Sequence, residues 1–131
     1  MLQKRIRYKV MTLGRYSAHA SWAYGLMGIH YVKKEHLKAI DGCKFFVFTR
    51  KREAERWVKL QKNLQRKLQV VKCLTSKPTP IKQVPDTGWT IRSSRYAFNE
   101  WFKNPKAFVL ENATLPAPPS SAVVDEIFCL E

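Results

Sequence analysis

The stretch from Cys43 to Leu68 constrains the fold more than any other part of this chain. Cys43-Lys44-Phe45-Phe46-Val47-Phe48 is a compact apolar run that reads as a buried strand. Thr49 stands where a helix N-cap belongs, and a helix is expected from Arg50 to about Lys67. On a wheel of about 100° per residue with Lys51 at the origin, Lys51, Arg52, Arg56, Lys59, Lys62, Arg66 and Lys67 fall within about 0–160°. Ala54, Trp57, Val58, Leu60, Leu64 and Leu68 fall within about 180–340°, so the two sets do not overlap. A strand that runs straight into a helix with all its apolar residues on one face calls for a sheet that this face can cover.

Other segments supply that sheet. From Arg5 to Leu13, Ile6, Tyr8 and Val10 alternate with Arg5, Arg7 and Lys9, which reads as a strand with its apolar side inward and its cations outward. Gln69–Leu74 reads as a strand, with shorter candidates at Ile29–Val32, Trp89–Arg92 and Ala107–Leu110. Lys33–Ile40 reads as a short helix stopped at Asp41-Gly42, and a helix capped by Ser93 or Ser94 runs to Lys103, where Asn104-Pro105 ends it. The expectation is an α+β fold: a single small domain, mainly antiparallel sheet packed with two or three helices. At 131 residues with sixteen aromatics the chain has apolar area enough for a core, unlike a disordered basic tail.

Charge divides the chain unequally. Residues 1–82 hold 20 cations against 4 anions, and residues 83–131 hold 4 against 6, within a formal net charge of +14. Ser76-Lys77-Pro78-Thr79-Pro80 marks the change as an extended loop. Residues 1–115 are expected to form the basic α+β domain, and 116–131 a Pro-rich linker with a short C-terminal docking segment. That segment, Val123 to Leu130, either folds onto its own core, as a small helix or an edge strand, or docks on a partner.

Self-repulsion opposes folding with such a surplus, and a polyanionic partner relieves it. An ordinary solvated helix face mixes signs and gains pairs at i,i+4, whereas only Glu55 interrupts the cationic arc here. The reading is a non-enzymatic nucleic-acid-binding protein, for RNA or DNA, that touches the phosphate backbone through Arg5, Arg7, Lys9, Lys51, Arg52, Arg56, Lys59, Lys62, Arg66 and Lys67. Tyr16, Trp22, Tyr24 and Tyr31 serve either as core or as platforms for unpaired bases. The alternative is a small protein-interaction module or inhibitor that occupies an acidic or nucleic-acid-binding surface of another protein, through the C-terminal segment.

Leu37-Lys38-Ala39-Ile40-Asp41-Gly42-Cys43-Lys44-Phe45-Phe46-Val47-Phe48, continuing through Glu53-Ala54-Glu55-Arg56-Trp57-Val58, resembles the second half of the hybrid-binding domain at the N-terminus of type 1 ribonuclease H. The likeness covers about 22 residues. It implies binding to double-stranded RNA or an RNA–DNA hybrid. Where that family carries basic residues after the strand's first aromatic, this chain has Phe46 and Val47.

Chemistry beyond binding finds little support. His36 beside Glu35, with Lys33, Lys34 and Lys38 near, holds the ingredients of a nuclease, and His30 is a second candidate. No spacing gathers carboxylates for a metal pair, and no phosphate loop or nucleophile elbow occurs, so no cofactor or metal is implied. Cys43, Cys73 and Cys129 are odd in number and widely spaced, which suggests a reducing, cytoplasmic setting rather than a disulfide framework. No acidic residue precedes Glu35, as in an organelle-import leader, but the strand-like alternation of residues 5–10 argues against one. The longest uncharged run, Tyr16 to Val32, is too short and polar for a membrane span, and no membrane partner is expected.

Overall fold

The computed structural model describes residues 1–15, 30–39, 44–61, 67–85, 100–111 and 114–131. Among these residues seven strands form one antiparallel sheet: β1 (Ile6–Thr12), β2 (His36–Lys38), β3 (Phe45–Phe48), β4 (Leu68–Thr75), β5 (Thr79–Pro80), β8 (Ser121–Val124) and β9 (Glu126–Cys129). Their order is β2-β9-β4-β1-β3-β8-β5. β6 (Gln83–Pro85) and β7 (Thr114–Pro116) pair separately. Helix α1 (Lys51–Leu60) follows β3, residues 100–103 are helical, and α2 (Pro105–Glu111) follows them. The fold is α+β and mainly antiparallel sheet, as the periodicities require.

The sheet is curled, and topology shows why. β8 and β9 are sixth and second in the order, yet only Asp125 separates them in sequence. In a flat sheet they would lie about 19 Å apart, at about 4.8 Å per strand. Two residues of extended chain reach only about 7 Å. The ends of the sheet therefore bend toward each other around Asp125, as in a barrel. This corner is pinned: the Asp125 and Glu126 N–H groups both donate to Ser76 Oγ at 3.0 Å, Ala39 N–H donates to Asp125 O, and Lys44 Nζ pairs with Asp125 Oδ1 at 2.9 Å.

Curling gives the sheet an inside and an outside. Met11, Phe45, Val47, Val71, Cys73, Ala122, Val124, Ile127 and Cys129 make one buried cluster with Tyr31 on the inner face. On the outer face Tyr8, Val10, Phe48, Leu68 and Val70 pack against Ala54, Trp57 and Val58 of α1. Phe46 and Val123 meet Trp101, Phe102 and Phe108 there, with the Phe46 and Trp101 rings stacked at 5.9 Å. All of Phe45–Phe48 is buried because β3 is covered on both faces.

Several elements differ from expectation for identifiable reasons. Lys33–Ile40 contains no helix among its described residues: Lys34 turns at φ 60°, its N–H bonds Cys129 O, and β2 then pairs with β9. Ala107–Leu110 is helical rather than extended. Asn104 Oδ1 accepts from Ala107 N–H at 3.3 Å, and Pro105 occupies the first helical position, so Asn104-Pro105 starts a helix instead of only ending one. Thr49 is not the N-cap of α1; Arg50 is, without a side-chain cap, while Thr49 bonds Ser120 O across to the β8 entrance. α1 stops at Leu60, where Gln61 N–H turns back to Val58 O, and Leu60 is 67 % exposed rather than core. The C-terminal segment is neither a helix nor an edge strand. β8 lies between β3 and β5, and β9 between β4 and β2, so residues 121–129 are interior strands of their own sheet. Of the remaining expectations, Ile29, Cys43, Trp89–Arg92 and the start of the Ser93 helix lie outside the described residues; among 30–32, His30 makes a lone bridge and Tyr31 is core.

Candidate functional site

Ala54 is fully buried at the centre of α1, and Trp57 tilts onto Phe48 with centroids 6.2 Å apart. This contact fixes which side of the helix faces water. Lys51, Arg52, Arg56 and Lys59 are exposed together and line a shallow surface depression with Glu55. Arg50 is exposed at the N-cap.

Pairing on this face is sparse. Arg56 Nη1 approaches Glu53 Oε1 at 3.7 Å. Glu55 stands four residues from both Lys51 and Lys59, yet no ion pair joins it to either, and Arg52 has none among the described residues. Three of the four helix cations are therefore exposed and form no ion pair among the described residues.

Two residues expected on this surface are not on it. Arg7 and Lys9 point to the inner face of the curled sheet, and their exposures are 6 % and 0 %. The alternation in β1 was real, but both of its faces are covered, so the cationic side is interior as well. Lys9 Nζ donates to Phe46 O at 2.6 Å and lies 5.0 Å from the centre of the Tyr31 ring. Burial lowers the Lys9 pKa to about 7, with Cys73 and then Cys129 partly opposing the shift. Burial, and then the Arg5 charge, also lower the Arg7 pKa. Among the described residues Arg7 Nη2 donates to Gln3 Oε1 at 3.3 Å, while Nε and Nη1 find no partner there.

Arg5 is exposed just before β1, and Lys67 is exposed at the entrance to β4. Lys62 and Arg66 lie outside the described residues, as do Tyr16, Trp22 and Tyr24. Sequence reasoning passed over Lys72. It is exposed on the outer face of β4, in register with Tyr8, on the side that carries α1. Its alternation with buried Val71 and Cys73 was the signal that marks it.

The proposed His–carboxylate pairing takes another form. His36 Nε2 lies 3.0 Å from Glu126 Oε1, not against Glu35, and both Glu35 and His30 are exposed. No three His, Cys, Asp or Glu side chains come together as a metal site among the described residues. No helix among them is long and apolar enough to cross a membrane.

Fold and site thus define a curled antiparallel sheet that carries a short cationic helix on its outer face. No protein-family model, curated protein or solved structure matches the chain. Phe46 and Val47, where the ribonuclease H hybrid-binding family carries basic residues, are fully buried.

Proposed function

We infer that the protein binds nucleic acid through the phosphate backbone, on the exposed face of α1. The observation that carries this reading is the set Lys51, Arg52 and Lys59: exposed, without ion pairs among the described residues, and held on a helix whose other face is anchored in the core. Like charges left uncommitted at this density gain most from a polyanion, because each phosphate contact releases condensed counterions. Arg50 and Arg56 lie on the same helix, and Lys72 is exposed on the sheet face that carries α1. Phosphate contacts position a protein without reading sequence, so binding is expected to tolerate sequence changes. The alternative of a C-terminal docking segment loses its main support, since residues 121–129 are paired within this chain.

The test is fluorescence anisotropy with mixed-sequence RNA and DNA oligonucleotides between about 50 and 200 mM salt. With four to seven contacts the slope of log Kobs on log salt should be roughly −4 to −6. The triple variant Arg52→Gln, Arg56→Gln, Lys59→Gln should flatten that slope by about 3 and keep the wild-type circular dichroism spectrum. Absence of binding at low salt, or an unchanged slope in the variant, overturns the reading.

A further inference from the structure

We propose that Cys73 and Cys129 are a reversible oxidation site, at which hydrogen peroxide converts the two thiols into a disulfide that locks β9 to β4. They lie 56 positions apart in sequence, but the sheet sets them directly opposite each other. Their sulfurs are 3.4 Å apart, with Cys73 S–H donating to Cys129 Sγ.

The register is the kind that accepts a disulfide. Leu130 N–H bonds Lys72 O at 2.9 Å, and Ser76 N–H bonds Glu126 O at 3.1 Å. These positions flank the pairing Cys73↔Cys129, Leu74↔Phe128, Thr75↔Ile127. Hydrogen-bonded and non-hydrogen-bonded pairs alternate along an antiparallel ladder, so the cysteines occupy a non-hydrogen-bonded pair. Such pairs bring Cα atoms to about 4.5 Å, with side chains closer than at their neighbours, inside the range that disulfides need. The bond therefore requires rotation of the sulfurs rather than movement of the strands.

The surroundings favour one thiolate. The hydrogen bond from Cys73 lowers the Cys129 pKa, and Arg15 and Lys9 act in the same direction. That same bond, with burial, raises the Cys73 pKa. Cys129 is thus the attacking sulfur and Cys73 the resolving one. The Cys129 thiolate attacks a peroxide oxygen, the O–O bond breaks, and the leaving hydroxide takes a proton and departs as water. The Cys73 sulfur then attacks the resulting sulfenic sulfur and expels hydroxide, which leaves as a second water with the Cys73 thiol proton. Two electrons pass from the sulfur pair to the peroxide, and a small dithiol reverses the change. Both residues are buried, with exposures of 0 % and 1 %, so peroxide reaches them through local opening, and the bond then closes in the native register. This site is independent of the nucleic-acid reading.

The experiment treats the folded full-length chain with excess hydrogen peroxide, followed by intact mass and non-reducing peptide mapping. The mass should fall by two hydrogen atoms, one mapped peptide should join Cys73 to Cys129, and dithiothreitol should restore the original mass. Cys43→Ser should retain the cross-link, and Cys73→Ser or Cys129→Ser should abolish it. The oxidised protein should melt about 10 °C higher. A cross-link to Cys43, sulfinic acids without a cross-link, or two thiols that stay free under brief partial denaturation with peroxide present overturns the site. A cross-link that leaves the melting temperature unchanged overturns the lock.

Discussion

Lys9→Met should make this protein more stable near neutral pH and less stable in alkali. Lys9 is fully buried, and among the described residues no carboxylate pairs with it. Moving its pKa from 10.5 to about 7 opposes the charged form in the fold by roughly 5 kcal/mol. The folded-state value lies below the unfolded one, so between about 7 and 10.5 the unfolded chain holds more protons, and stability rises with pH. The full penalty is present below about 7 and has largely gone by about 10.5. Methionine removes it with a side chain of similar length. Methionine also removes the bond to Phe46 O and the cation over Tyr31, together about 2 kcal/mol. The variant should therefore gain about 3 kcal/mol at about pH 6, match the wild type at about pH 10, and lose about 1 kcal/mol once the pH passes well above about 10.5, where the amine is neutral in both states and only its bond to Phe46 O remains to be lost. Urea denaturation of both proteins across this range measures the difference, in which the titration of exposed groups cancels. A difference that stays flat with pH, or a variant that is weaker near pH 6, would refute the account of Lys9 as a buried, destabilising ammonium.

Other outcomes follow from the packing. Ala54 has no exposed surface between α1 and the sheet, so Ala54→Leu should cost about 1–3 kcal/mol by chemical denaturation. Asn104→Ala should cost about 1 kcal/mol through loss of the α2 cap, visible as a lower urea midpoint with an unchanged slope. Deleting residues 120–131 removes two interior strands and should abolish cooperative thermal unfolding; a truncated chain that melts as sharply as the full one would contradict the observed pairing.

What was legible in the sequence was whatever local period encodes. β1, β3 and β4 lie within a residue or two of their expected bounds, and the start of α1 follows the change from an apolar run to a helical stripe. What escaped depended on pairing at a distance. Lys33-Lys34-Glu35-His36-Leu37-Lys38 has no strand signature, and its last three residues become β2 because β9, some ninety residues later, offers a free edge. Period two also identifies two faces without saying which meets water. Met11 shares the parity of Arg7 and Lys9, and such an apolar residue on the supposed outer face signals that this face is covered. Phe45–Phe48 carries the same message, since a strand with every side chain apolar needs cover on both sides, and its neighbour β1 shares that cover. The closeness of Cys73 and Cys129 was invisible for the β2 reason: their spacing in sequence is unrelated to their register.

The buried cations sharpen the functional reading, because charge counted along the sequence is not charge presented to a partner. Two of the ten cations first assigned to the surface are enclosed in the curled sheet, and one of those sits near neutrality at about pH 7. The helix cations remain exposed and contribute little to stability, since exposed charges without partners gain almost nothing from the fold. In the proposed reading, stability and binding therefore rest on separate residues. Lys9→Met should change the pH profile of unfolding and leave the salt slope of nucleic-acid binding as it is. Arg52→Glu, Arg56→Glu and Lys59→Glu together should remove most of the binding and shift the melting temperature by only a few degrees. If Lys9→Met weakens binding in a protein that stays folded, the inner face takes part in recognition, and assigning the site to α1 alone is wrong.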